Sequence, residues 1–238
     1  MVDRISRETL QEKVYESIKD SIVKNELMPG DVLSIDSLAE DLGVSPTPVR
    51  EALAKLSAQG LVENARNKKA RVAPISREDI LQTYEVRKLL EPYATRLAAE
   101  EVADDAKLKG EFKRLKSLAL NIQDVAGDGP LNSSQYENYV EVDLGLEETI
   151  ERALGDTLLN KMLKQVRNHS LRIRSFTEAS SDKNVPEVVM ANNEEHLEII
   201  GNILNEEFGK AGEAVIEHLE SAENRTLEAL EESSQENS

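Results

Sequence analysis

Apolar side chains recur with helical period along most of this chain. Four of them stand at intervals of four residues near the N-terminus: Leu10, Val14, Ile18 and Ile22. This spacing predicts an amphipathic helix over about residues 7–25. After residue 76 every strong pattern is helical, and the predicted helices lie near 78–101, 104–125, 133–154, 156–177, 186–205 and 207–233. Six helices without strands favour an antiparallel bundle.

A different pattern occupies residues 34–72. Ser34 is suited to cap a short helix, because its hydroxyl can accept a hydrogen bond from the first turn. The inward stripe of that helix consists of Leu38, Ala39 and Leu42. Gly43 follows, and glycine readily adopts the left-handed backbone with which helices commonly end. The pattern therefore predicts one short helix and a turn into a second helix.

The second helix of this region is capped by Ser45. Pro46 and Pro48 fall at its first and third positions, where backbone N–H groups lack intrahelical partners, so both prolines are compatible with a helix start. Outward-facing positions are Thr47, Arg50 and Lys55. A recognition helix places its N-terminal residues in the major groove, so we predict that Ser45, Thr47 and Arg50 contact DNA.

Two short strands, 61–64 and 70–73, are predicted after this helix, joined by a polar and basic tip. Such a tip beside a recognition helix suits contact with phosphate or with the minor groove. We therefore interpret the region as a winged helix-turn-helix in which Arg66, Lys68 and Lys69 also contact DNA. The alternative is that these basic residues form a solvated turn.

The charge of the chain is unevenly distributed. A net charge of −17 disfavours nucleic acid at first sight. Residues 1–76 hold eleven Lys and Arg against twelve Asp and Glu, however, so −16 falls on residues 77–238. We expect that acidic part to stay away from the duplex. The chain has no cysteine, no signal-peptide pattern and no membrane-spanning apolar stretch, which favours a cytoplasmic protein.

Four side chains of the helical part are candidates for a shared interior site. Asp143 and Glu147 are four residues apart and share one helix face. His196 and His218 lie within the apolar patterns of the last two helices. Two carboxylates and two imidazoles inside a bundle suit a divalent cation, because unpaired buried charge is costly. The alternative is that the histidines are satisfied core residues and the carboxylates a solvated edge.

The helix-turn-helix resembles the N-terminal domain of GntR-family transcriptional regulators. The matching residues are Leu38-Ala39, Gly43-Val44-Ser45, Pro48-Val49-Arg50-Glu51-Ala52-Leu53, Leu56 and Gly60-Leu61-Val62. Two positions depart from the family pattern. Pro46 stands where arginine is usual, and Asn67-Lys68-Lys69 stands where the wing tip carries glycine. These departures concern the operator sequence more than DNA binding itself.

Residues 77–230 resemble the FCD effector domain of the FadR branch of that family. The matching segments are Val86-Arg87 through Leu90-Glu91, Ala98-Ala99, Asp143 through Glu147, Leu154-Gly155-Asp156, Glu195-His196 and His218-Leu219. Metal-binding members use one Asp and three His. The resemblance puts Asp143, His196 and His218 at three of these positions and Glu147 at the fourth. It thus implies a divalent metal, with Zn²⁺, Ni²⁺ and Mn²⁺ left open.

Effectors of the resembling family are often small organic acids bound beside the metal. Arg87, Arg172 and Arg174 are therefore candidates to clamp a carboxylate, which guanidinium binds bidentately. Alternatively, Arg87 pairs with Glu91 one helical turn away, and Arg172 and Arg174 are surface residues.

These observations predict a mainly α protein with a winged helix-turn-helix domain in residues 1–75. An all-helical FCD-like domain for effector binding and dimerisation follows in 76–233, with a frayed tail at 234–238. We expect a homodimeric transcriptional regulator, not an enzyme, that binds a palindromic double-stranded DNA operator under the control of an organic acid, a metal or both.

Two other functions remain open from the sequence. A metal-dependent hydrolase with a DNA-binding appendage is the first, because two His and two carboxylates can activate water. No separate general base or nucleophile accompanies them. The second is an architectural DNA-binding protein without a ligand.

Overall fold

The structure is a computed structural model that describes residues 10–23, 26–63, 70–125, 133–180 and 186–236. The chain divides into two compact units. One comprises Met1–Ser76 and Leu171–Phe176, and the other comprises Arg77–Ser170 and Thr177–Ser238. We call them the N-terminal unit and the helical unit.

The N-terminal unit combines three helices with a small sheet. Its elements are α1 (Leu10–Val23), β1 (Val32–Leu33), α2 (Ile35–Asp41), α3 (Pro46–Ala58), β2 (Val62–Glu63) and β3 (Ala70–Val72). The sheet has the order β1-β3-β2, with both pairs antiparallel. β2 and β3 are the two strands predicted for the wing. β1 was not predicted, because two residues are too few to show an alternating pattern.

The caps and turns of the helix-turn-helix follow from single residues. Ser34 accepts a hydrogen bond from the Ser37 N–H at 3.3 Å, as predicted. Gly43 has a φ of +64°, in the left-handed region. Ser45 occupies the N-cap of α3, but its hydroxyl makes no cap hydrogen bond. Pro48, at the third helical position, has no N–H to donate to that hydroxyl.

The core of the N-terminal unit lies between α1 and α3. Three of the four predicted stripe residues of α1 are buried there, and Leu10 is 58% exposed. The fully buried core residues opposite α1 include Val49, Leu53, Leu56 and Leu61. Burial of each such side chain contributes roughly 1.5–3 kcal/mol, so this contact fixes α3 on the unit.

Within the described residues, the helical unit contains five whole helices and most of a sixth, α7, whose residues Leu171–Phe176 belong to the N-terminal unit; all six were predicted. They are α4 (Arg77–Asp104), α5 (Ala106–Val125), α6 (Ser133–Leu154), α7 (Leu158–Ser180), α8 (Pro186–Leu204) and α9 (Phe208–Glu236). α4 packs on α6 and α9, and α8 packs on α5 and α9. α9 continues to Glu236, three residues past the predicted helix end. In the part of the chain that the structure describes, no helix combines the length and apolar character needed to cross a membrane.

Candidate DNA interface and ligand cavity

The N-terminal end of α3 presents three predicted DNA contacts to solvent. Ser45, Thr47 and Arg50 are exposed, whereas Val49 between them is fully buried. Burial of Val49 fixes the rotation of the helix, so Thr47 and Arg50 are directed outward. The Ser45 hydroxyl is not used within α3, which leaves it available to a phosphate oxygen.

Lys55, also on α3, is exposed and makes contacts with α1. Its Nζ donates to Glu12 Oε1 at 2.9 Å and lies 3.6 Å from the centroid of the Tyr15 ring. The hydrogen bond to Glu12 raises the pKa of Lys55. Lys55 thus faces outward, as predicted, and its side chain links α3 to α1.

The tip of the wing was also predicted to contact DNA. Arg66, Lys68 and Lys69 lie outside the residues that the structure describes. Arg71 on β3 is described, and its Nη1 donates to the Gly30 carbonyl at 3.2 Å.

The helical unit contains a cavity of about 60 Å³, lined from α4, α6, α7, α8 and α9. Five side chains selected from the sequence line it together: Arg87, Asp143, Glu147, His196 and His218. Much of the remaining wall is apolar, with residues such as Leu146, Ile150 and Ile199. The fold thus brings together residues that are up to 131 positions apart in the sequence.

The two histidines lie side by side in this cavity. Their ring centroids are 4.9 Å apart, and His196 is only 2% exposed. His196 Nε2 lies 3.4 Å from Asp143 Oδ1. His218 Nδ1 lies 2.7 Å from Glu195 Oε2. Each imidazole therefore faces a different carboxylate.

Glu195 connects the cavity to a second polar group. Burial by itself would raise the pKa of Glu195. The hydrogen bonds from His218 and Arg225, together with the charges of these two residues, have the larger effect and lower the pKa to about 2. Arg225 also donates to Asn192 Oδ1, and Asn192 Nδ2 donates to Tyr139 Oη at 2.9 Å. An ionised Glu195 thereby holds His218 in place.

Glu147 lies between two guanidinium groups. Its Oε1 is 3.7 Å from Arg87 Nη2, and its Oε2 is 3.2 Å from Arg167 Nε. Arg87 also donates to Glu91 at 2.6 and 3.2 Å, and Arg167 Nη1 lies 3.2 Å from Glu151 Oε1. We call this series Glu91–Arg87–Glu147–Arg167–Glu151 the ion-pair chain. The ion pair between Arg87 and Glu91, which was one of the two interpretations of Arg87 from the sequence, is thus present.

The residues present do not fit the expected four-ligand metal site. Within the described ranges, no group of three or more His, Asp or Glu side chains is arranged to hold a metal ion. Glu147 faces two guanidinium cations, and a metal ion bound to it would experience their repulsion. Glu147, predicted as a ligand, is an ion-pair partner of Arg87 and Arg167 in this structure, and its role toward a metal stays a prediction.

Two of the three arginines proposed for an effector are elsewhere. Arg172 and Arg174 do not line the cavity and belong to the segment Leu171–Phe176 of the N-terminal unit. Arg172 is buried and donates to the carbonyl groups of Gly60 at 3.3 Å and Pro74 at 3.0 Å. These carbonyls engage the guanidinium of Arg172, so its position favours a structural role, and the predicted carboxylate clamp stays a prediction.

Arg167 and Ser170 line the cavity but were not selected from the sequence. Both follow Leu163 at helical spacing on one face of α7. The acids Glu147 and Glu151, four residues apart on α6, are the signal that predicts a basic partner. Which helix supplies that partner depends on tertiary packing, which the sequence pattern does not contain.

Both parts of the chain match known families. Residues 10–72 match the profile of bacterial regulatory proteins of the gntR family, and residues 82–221 match that of the FCD domain. The HTH-type transcriptional regulator LutR of Bacillus subtilis is 32% identical over 165 residues, which are 62% of this chain and 68% of LutR. The Nta operon transcriptional regulator of Aminobacter aminovorans is 27% identical over 204 residues, 85% of this chain and 87% of that protein.

A solved structure shares the fold of the chain. Escherichia coli McbR/YncC has a TM-score of 0.74 to it at 20% sequence identity, over 93% of this chain and 99% of the other. At this level of identity the similarity establishes the architecture, a winged helix-turn-helix followed by helices.

Proposed function

This chain belongs to the GntR family of bacterial regulatory proteins and carries an FCD domain, and on that premise we propose how its DNA binding is controlled. It is a transcriptional regulator, and its families and relatives are regulators rather than enzymes. We propose that a small molecule in the cavity of the helical unit changes the affinity of the chain for its operator. The metal-dependent hydrolase considered from the sequence has no support in these relatives.

The cavity is the observation that carries this proposal. Five helices contribute to its wall, and Arg87 and His196 in that wall are buried. A ligand that fills the space adds contacts to all five helices at once, so it stabilises the arrangement that holds it. If the operator is bound best by a different arrangement of these helices, the ligand and the operator favour different states of the chain. The affinity for DNA then depends on the ligand.

DNA binding is proposed to use α3 of two copies of the chain. In each copy, Ser45, Thr47 and Arg50 would contact one half-site of the operator. The two-fold symmetry of the dimer would then be matched by a palindromic operator. Arg66, Lys68 and Lys69 of the wing are proposed to contact the flanking backbone. A regulator of this kind acts on the chromosome, and we place it in the cytoplasm.

The second copy is proposed to cover one face of α4. Val86, Leu89 and Tyr93 follow one another at spacings of three and four residues, and they are 39%, 71% and 50% exposed. Apolar side chains grouped in this way on a helix commonly mark an interface. A two-fold dimer would bury this face against the same face of the partner.

An organic acid was the effector expected from the resemblance. Of the three proposed clamp residues, Arg87 lines the cavity, and it already bonds Glu91 and faces Glu147. An acid would have to compete with those carboxylates.

The test combines DNA selection with a ligand screen. The full chain selects its operator from random duplexes, and a thermal-shift screen of small organic acids, amines and metal ions finds stabilising compounds. We expect a stabilising compound to change the operator Kd measured by fluorescence anisotropy. If compounds that saturate the cavity leave this Kd unchanged, the helical unit does not control DNA binding as proposed.

A further inference from the structure

The cavity of the helical unit has an excess of acidic side chains. Its wall contains two guanidinium groups, from Arg87 and Arg167. It also contains four carboxylates, from Glu91, Asp143, Glu147 and Glu151, and the imidazoles of His196 and His218, so the carboxylates outnumber the guanidinium groups by two. We propose that the ligand is a small organic ammonium ion, a protonated amine with a short apolar body, rather than an organic acid or a metal ion. This inference rests on the proposed function, since it names the ligand class for the same cavity.

The ion-pair chain opposes an acidic ligand. Glu147 places one oxygen toward each arginine, and Glu91 and Glu151 hold the outer ends of the two guanidinium groups. A ligand carboxylate would have to displace Glu147 from both arginines. It would also add a fifth carboxylate to the four already in the wall, and like charges at short distance are repulsive in a partly dry site. A cation reduces the same imbalance.

A buried hydroxyl provides a second, independent indication of a polar ligand. Ser170 lines the cavity and is only 5% exposed, and its Oγ has no hydrogen-bond partner in the described part of the chain. A buried polar group without a partner costs free energy. An ammonium group has three N–H donors and no acceptor. Ser170 and the Asp143 carboxylate, which line the same cavity, are acceptors for such donors.

The apolar part of the wall sets the body of the ligand. Leu146, Ile150, Leu163, Ile199 and Val215 line the cavity. A volume of about 60 Å³ holds roughly four to six groups the size of a water molecule. An unbranched amine such as n-butylamine has this size and combines one ammonium group with an apolar chain.

A metal ion matches the charge of the cavity but not its geometry. His218 Nδ1 is directed to Glu195 at 2.7 Å, and Glu147 is held by the two arginines. Asp143 and His196 are the remaining close pair, at 3.4 Å. His218 can still offer its Nε2, but among the described residues no group of three or more His, Asp or Glu side chains is arranged to hold a metal ion, and a zinc site needs at least three protein ligands.

The test compares four probes on the full chain at one pH and one ionic strength. n-Butylamine has the size and the positive charge of the proposed ligand. 1-Butanol has a similar size without charge, and butyrate has a similar size with a negative charge. Zinc chloride supplies a cation without an apolar body. We expect n-butylamine to raise the Tm saturably, with a Kd at least about tenfold lower than those of butanol and butyrate in calorimetric titration. Tighter binding of butyrate, or stabilisation by zinc alone, overturns the inference.

Two substitutions locate the site. Asp143→Asn removes one negative charge and keeps nearly the same side-chain shape. We expect this change to raise the Kd of n-butylamine at least about tenfold. Asp156→Asn is the matched control, because Asp156 pairs with Lys161 on the surface and does not line this cavity. An equal loss in both variants, or no loss in Asp143→Asn, contradicts the assignment. If Asp143→Asn does not fold, the four-probe comparison on the unmodified chain still decides the ligand class.

The operator Kd of the same chain separates this inference from the proposed function. If butyrate binds the cavity and changes the operator Kd, the ammonium class is wrong and the regulatory role stands. If n-butylamine saturates the cavity and the operator Kd does not change, the class is right and the regulatory role fails.

Discussion

Arg50 is the proposed DNA contact that a single substitution tests most directly. It is exposed at the start of α3 while Val49 beside it is buried, so its removal does not disturb the core. We expect Arg50→Ala to weaken operator binding by ~1–3 kcal/mol if the guanidinium contacts a base, with an unchanged Tm. Fluorescence anisotropy against operator and scrambled duplexes measures the effect. Lys55→Ala is the control and should leave operator affinity intact, because Lys55 pairs with Glu12.

Glu195 makes the stability of the helical unit depend on pH. Its pKa is lowered from 4.5 to about 2, because the hydrogen bonds from His218 and Arg225 outweigh its burial. A depressed folded-state pKa contributes stability that is fully present above about pH 4.5 and is lost as the pH falls toward 2. We therefore expect Glu195→Gln to lower the free energy of unfolding most above pH 4.5, with the difference shrinking below it. Urea unfolding at several pH values measures this, and a difference independent of pH contradicts it.

The individual residues show where sequence reasoning is strong and where it stops. Ser34 and Gly43 were predictable, because caps and left-handed turns depend on local chemistry. Glu147 was assigned to a metal because its helical position matched a ligand position of a family. Its two arginine partners come from α4 and α7, and pairings between distant helices cannot be read from helical period alone.

At the scale of elements, the long periodic helices and the two wing strands β2 and β3 were predicted, and β1 was not. The six helices of the helical unit begin within two residues of their predicted starts. Each spans about four turns or more, so its apolar period is repeated often enough to be recognised. β1 has two residues and exists because β3 pairs with it, which is a tertiary condition.

The contact between α4 and α9 depends on a glycine. A Cβ on Gly212 would lie 3.1 Å from the Pro92 carbonyl oxygen, a backbone atom that cannot rotate away. We expect Gly212→Val to lower the free energy of unfolding by ~1–3 kcal/mol through overpacking. Gly110→Ala in α5 is the control. Nothing lies within 4 Å of its added Cβ, so the better helix propensity of alanine should give a gain of up to ~1 kcal/mol. Denaturant unfolding of both variants decides, and equal effects would refute the close approach.

At the scale of the whole molecule, the apolar face of α4 is expected to hold two copies together. Leu89 is 71% exposed, so Leu89→Asp should leave the single chain folded and disrupt only the interface. Light scattering should then give the mass of one chain, 26.5 kDa, in place of twice that value. Operator affinity should fall as well, because one recognition helix reads one half-site. Leu120→Asp, on a 43% exposed residue of α5, is the control and should stay dimeric.

The coupling between the cavity and DNA is tested most directly by its reciprocity. A ligand that changes the operator Kd by some factor must have its own Kd changed by operator DNA by the same factor. Calorimetric titration of the best stabilising compound into the free chain and into the operator-saturated chain measures the second factor. We predict that it equals the first factor, obtained from anisotropy with and without the compound. A ligand Kd that is identical for the free and the DNA-bound chain would contradict regulation through the cavity.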